Sequence, residues 1–136
     1  MKRASHEEAE RWLIQAQDEF EDAELLRKLG RFYISLFHFQ QAIEKAFKAF
    51  LYSKIESVDI FYTHSIDELS KIAVKLDPDF ERIMDAKKLD RYYIQTRYPN
   101  GLPGGVPSRY FDDPKEAEEA MRIAEKAIDL IKAKMY

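Results

Sequence analysis

From Ala9 onward the apolar residues return every three or four positions: Ala9, Trp12 or Leu13, Ala16, Phe20, Ala23 and Leu26. That stripe belongs to an amphipathic helix, and Gly30 is a natural stop, because helices commonly end on a glycine in the left-handed region. Ser5-His6-Glu7-Glu8 has the form of a capping box, so the pattern predicts a start at Ser5. A more apolar series, Leu36, Phe39, Ile43, Phe47, Phe50 and Leu51, predicts a central core helix from Phe32 to Lys54.

Three further helix starts are written in capping chemistry. Ser65-Ile66-Asp67-Glu68 is a capping box that opens a shorter helix to Leu76. Asp77-Pro78 places an N-cap before a proline at the first helical position, which predicts a fourth helix reaching Arg97. Asp113-Pro114-Lys115-Glu116 repeats that logic and opens a last helix that buries Ala117, Met121, Ala124, Ile128 and Ile131. Strand signals are scarce. Helices joined by mostly short connections imply an all-α fold, an antiparallel up-and-down helical bundle of four to five helices in a single domain over 1–136.

The pattern breaks at Thr96–Asp113, TRYPNGLPGGVPSRYFDD. Three of the five prolines and three of the four glycines lie between Pro99 and Pro107. An arginine-tyrosine pair stands at each end, Arg97-Tyr98 and Arg109-Tyr110. The glycines do not form a dinucleotide fingerprint, since no strand precedes them and prolines interrupt their spacing.

Composition narrows the chemistry. The chain has no cysteine, and His6, His38 and His64 are far apart, so neither a disulfide framework nor a structural metal is expected, and no cofactor is implied. No apolar run suits a membrane span, and the N-terminus has neither a signal-peptide core nor a transit-peptide composition. These features predict a cytoplasmic protein with no membrane partner. A formal net charge of −3 gives no overall basic field, so nucleotide or RNA binding requires a local basic site. No serine elbow, cysteine nucleophile or phosphate-loop lysine motif is present.

Within the second helix His38, Gln41, Lys45 and Lys48 share one face, and Glu44 pairs with Lys48 at i,i+4. That face reads either as solvated or as a ligand surface whose lysines meet phosphate. His64 precedes a helix start, where it helps cap the turn or lines a site.

FHFQQAIEKAFKAFL, then THSIDEL, then YIQTRYPNG resemble, in order and approximate spacing, the HEPN-domain proteins of bacteria and archaea, over nearly the whole chain. The resemblance implies a helical bundle, usually a homodimer. Small HEPN proteins are commonly partners of minimal nucleotidyltransferases. Many others are ribonucleases, often toxins, with an arginine followed a few residues later by a histidine near the end of a late helix. Their metal-independent chemistry works through the RNA 2′-hydroxyl. Here Arg97 lies in the right region, but no histidine follows His64; Arg31 and His38 satisfy the spacing only on the early second helix.

The expectation from sequence is therefore a non-catalytic nucleotide-binding module, the partner or substrate-binding subunit of a minimal nucleotidyltransferase. Its candidate contacts to nucleotide or phosphate are Arg97, Tyr98, Asn100 and Arg109 at the break, joined by Lys45 and Lys48 if their helix face adjoins it. Arginine suits bidentate phosphate contact and tyrosine can stack on a base. A packed loop whose arginines pair with Asp112 and Asp113 is the plain structural alternative. A ribonuclease toxin using Arg97 with His38 or His64 is the second function, and a ligand-free homodimeric scaffold the third. For the scaffold, some of the 13% aromatic residues, such as Phe61, Tyr62, Tyr92 and Tyr98, are candidate interface.

Overall fold

The computed structural model describes residues 2–55 and 62–136; Phe61 lies outside the described residues. The chain forms α1 (Lys2–Lys28), α2 (Phe32–Tyr52), α3 (Ile66–Leu76), a 3₁₀-helical segment (Pro78–Tyr92), the single turn α4 (Pro107–Tyr110) and α5 (Pro114–Met135). A minimal three-residue turn, Pro99–Gly101, sits inside the break. No strand occurs among the described residues. None of their helices is long and apolar enough to cross a membrane.

α1 and α2 form an antiparallel hairpin whose corner is Gly30, at φ 78°. The Gly30 N–H donates to the Arg27 carbonyl and the Arg31 N–H reaches back to Leu26, the paired bonds of a Schellman ending. The other end of α1 departs from expectation. The helix is already formed at Lys2, so Ser5 lies inside it; Lys2, Arg3 and Ala4 favour helix and nothing stops it at Ser5.

α2 is the axis of the core. Leu36, Phe39, Ile43, Phe47, Phe50 and Leu51 are all buried, and α1, α3 and α5 pack around them. α5 packs on α2, and its buried residues are Ala117, Ala120, Ala124, Ala127, Ile128 and Ile131. Small side chains allow close packing, and Met121 is displaced to half-burial.

The segment after Asp77 is helical, but in the tighter 3₁₀ form, and it ends at Tyr92 instead of reaching Arg97. Its buried residues, Phe80, Ile83, Ala86, Leu89 and Tyr92, recur strictly every third position. A 3₁₀ helix stacks i and i+3 on one line, so that spacing puts all five on the core side, as the wider α pitch would not. Long 3₁₀ runs are uncommon, and this one is kinked at Ile83, where φ is −123° and ψ 24°. The Tyr92 hydroxyl donates to Glu116 at 2.7 Å, tying the segment to α5. Burial, then the Glu116 hydrogen bond, raise the Tyr92 pKa well above the usual tyrosine range.

Capping chemistry holds at the remaining starts. Ser65 Oγ accepts from the Glu68 N–H at 3.2 Å, and Asp77 and Asp113 accept from Asp79 and Lys115. The break is packed, not splayed: Leu102, Pro107 and Phe111 are buried, and α4 rests on α2. A Cβ at Gly101 would stand 2.7 Å from Ile94 Cγ2, so a larger residue there would force Ile94 to shift.

Candidate functional site

Beyond Tyr92 the chain tightens into consecutive turns that aim Arg97 back across the bundle. The Thr96 hydroxyl donates to the Tyr92 carbonyl at 2.6 Å, and Arg97 Nε donates to the Tyr93 carbonyl at 2.7 Å. The guanidinium carbon lies 4.6 Å from the ring centres of both Phe37 and Tyr93 and 5.0 Å from that of Tyr98. Arg97 is thus held by three aromatic rings while remaining exposed. Among the described residues no carboxylate lies within ion-pair distance of it. Its terminal nitrogens are available to an anion.

Two histidines border this cage. The His64 ring stacks on Tyr93, with centroids 4.8 Å apart and an interplanar angle of 16°. His38 meets Phe37 edge-on at 5.1 Å. Each histidine faces a glutamate that also holds a lysine. His64 Nδ1 is 3.3 Å from Glu44 Oε1, whose other oxygen accepts from Lys48 Nζ at 3.0 Å. His38 Nδ1 is 3.4 Å from Glu19 Oε2, and Glu19 Oε1 pairs with Lys45. Gln40 links its own turn to the loop before α3 by donating to the His64 carbonyl at 3.1 Å. Burial draws the His38 pKa below the ordinary value, partly offset by Asp22. Burial and the neighbouring Lys48 cation draw Lys45 down as well.

The six expected contacts therefore do not converge. Arg97 and Tyr98 share the cage. Asn100 is exposed on the turn after it. Arg109 lines a different groove of about 420 Å³, with Arg31, Tyr33, Phe111 and Asp112. It makes no ion pair with Asp112 or Asp113, so the reading of a loop tied down by its own acids does not describe either arginine. Lys48 is only 2% exposed and Lys45 half-buried, both engaged by glutamates, so this face of α2 is neither solvated nor a free cationic surface. Reasoning from sequence missed Phe37 and Tyr93. Tyr93 stands one helical turn before Arg97, a pairing visible in the spacing; Phe37 is off the core stripe of α2, an aromatic without a core partner.

Of the other aromatics considered for a subunit interface, Tyr62 is exposed, Tyr98 half-exposed and Tyr92 buried. A buried tyrosine serves the core, not an interface.

The model of the HEPN domain matches residues 9–134. The chain belongs to the HEPN family. A relative named Putative toxin MJ1304, from Methanocaldococcus jannaschii, is 27% identical over 133 residues, covering 91% of this chain and 86% of that protein. Among solved structures, TT1696 from Thermus thermophilus is 34% identical with a TM-score of 0.78, covering 93% of this chain and 97% of that one. ST0689, an archaeal HEPN homologue, is 25% identical with a TM-score of 0.69, covering 94% and 98%. The HEPN bundle expected from the sequence is therefore the fold of this chain, and Arg97 lies within its matched region.

Proposed function

We propose that this HEPN protein acts on RNA, binding a backbone phosphate at Arg97 and cleaving the strand without a metal, in the manner of a toxin-type family member. The observation that carries this reading is the Arg97 cage: an exposed guanidinium fixed by three rings, with a histidine against two of them. A cation for developing phosphate charge and an imidazole for proton transfer are the two groups such chemistry needs. The name of the Methanocaldococcus relative points the same way. The absence of a histidine after Arg97 in sequence loses force once the fold supplies histidines from α2 and from the stretch before α3. The test is incubation of purified protein with single-stranded RNA in EDTA. Fragments ending in a 2′,3′-cyclic phosphate are expected, with Arg97→Ala slower by about 10²-fold. Intact RNA under these conditions overturns the reading.

A second reading is the non-catalytic one: a nucleotide-binding module, homodimeric, serving as partner of a minimal nucleotidyltransferase. Half-exposed Tyr98 beside Arg97 favours it, since stacking on a base next to a phosphate contact recognises a nucleotide with no bond broken. Calorimetry with a panel of nucleotides separates the two. Saturable binding lost in Arg97→Ala, with RNA left intact, selects this reading.

A further inference from the structure

The geometry points to His64, held by Glu44, as the proton-transferring residue of the Arg97 site. The assignment rests on the cleavage reading and specifies how that site works.

Two histidines compete for the role, and their surroundings differ. His38 lies on α2 between two helices, its side chain 34% exposed. It touches the cage only through the edge of Phe37, at a ring-plane angle of 74°. His64 is 53% exposed and stacks almost flat on Tyr93, the ring over which Arg97 also lies. Stacking fixes the plane of the imidazole. The Gln40 hydrogen bond to the His64 carbonyl fixes the backbone beneath it. One ring nitrogen faces Glu44, which is itself 3% exposed and anchored by Lys48.

A carboxylate opposite Nδ1 selects the tautomer with its proton on that nitrogen and leaves the Nε2 lone pair free. This is how a buried acid serves a histidine general base without losing its own charge. Glu44 is the positioning residue, reached through His64 and screened from solvent; Lys48 holds it in place. The imidazole is more than half exposed, and the ring it stacks on is one that Arg97 also covers.

The step balances with water as the only other participant. Nε2 takes the proton of a ribose 2′-hydroxyl as its oxygen forms a bond to the adjacent phosphorus. The bond from phosphorus to the 5′ oxygen breaks, and that oxygen leaves with a proton drawn from water. Arg97 offsets the charge gathered on the non-bridging oxygens. The imidazolium then returns its proton to solvent, leaving a 2′,3′-cyclic phosphate and a free 5′-hydroxyl.

The test compares His64→Ala, His38→Ala and Glu44→Gln with the wild type on a single-stranded RNA oligonucleotide in EDTA. His64→Ala is expected to lose about 10²-fold or more in kcat. Added imidazole should restore at least about ten-fold of that loss, a rescue that a merely structural histidine would not show. His38→Ala tests the competing histidine: a loss in kcat as large as that of His64→Ala, and rescued by imidazole, would assign the transfer to His38 and overturn this proposal. In Glu44→Gln the amide admits the wrong tautomer, so kcat falls by about ten-fold or more with KM unchanged, and Glu44→Asp recovers part of it. Nitrogen-15 chemical shifts of His64 should report a proton on Nδ1 in the wild type and a tautomer mixture in Glu44→Gln. They also carry the test of Glu44 if its activity variants prove too unstable to assay. Cleavage that survives His64→Ala but not Arg97→Ala overturns this assignment and leaves the cleavage reading standing. A wild type that does not cleave removes both.

Discussion

Glu19 and Glu44 make the same construction twice, each a buried carboxylate shared by one lysine and one histidine. Around Glu19 every partner comes from α1 or α2, two long helices packed side by side. Around Glu44 the histidine comes instead from the non-helical stretch before α3, and its ring passes on to Tyr93 and Arg97. Identical chemistry thus closes one cluster between helices and opens the other toward a cation. What separates the two pairs is the element that carries the histidine.

The largest effect expected from breaking this comparison is on stability. Glu44→Ala removes a buried carboxylate that Lys48 and His64 share, and should cost about 3 kcal/mol in urea unfolding. Glu19→Ala should cost about 1–2 kcal/mol, because half-buried Lys45 can turn toward water. Equal losses would erase the distinction between the two clusters. Arg97→Ala should show the opposite profile: phosphate-bearing ligands bind about ten-fold more weakly or worse by calorimetry, while unfolding changes by less than about 1 kcal/mol.

His38 sharpens the contrast through pH. Its folded pKa lies below the ordinary 6.5 because burial opposes the charged form. The unfolded chain then takes up the proton first, so stability is lost as pH falls through and below that value. Melting temperatures measured from about pH 7.5 to about pH 5.5 should fall less steeply in His38→Gln than in the wild type. Coincident slopes would mean that burial does not hold His38 neutral. The smallest effect is expected far from both clusters. Lys134 bridges Asp77 and Asp79 at the surface, raising its own pKa and lowering that of Asp77. Lys134→Ala should lower Tm slightly, by an amount that high salt removes.

Much of this architecture was legible in residue order. The core face of α2, the glycine corner at Gly30 and the caps at Ser65, Asp77 and Asp113 all follow from local rules, and all appear in the fold. The 3₁₀ segment escaped because its start looks like any helix start. Only the unbroken three-residue spacing from Phe80 to Tyr92 distinguishes it. The site was half visible. Arg97 and Tyr98 are neighbours in sequence, whereas Phe37, His64 and Glu44 come from α2 and from the approach to α3. Lys45 looked like a ligand contact because nothing in the spacing of α2 reveals Glu19, which approaches from another helix, whereas Lys48 takes the Glu44 partner that its i,i+4 spacing offered.

Asp90 joins the segment before Arg97 to the turn after His64. Its carboxylate accepts from the N–H groups of Ile66 at 2.8 Å and Asp67 at 2.9 Å, and from the Ser65 hydroxyl at 3.3 Å. One side chain of the segment leading to Arg97 therefore clasps the turn that immediately follows His64. The arginine and the histidine are hinged on a common pin. The backbone that carries His64 is tied in this way to the segment that runs on to Arg97.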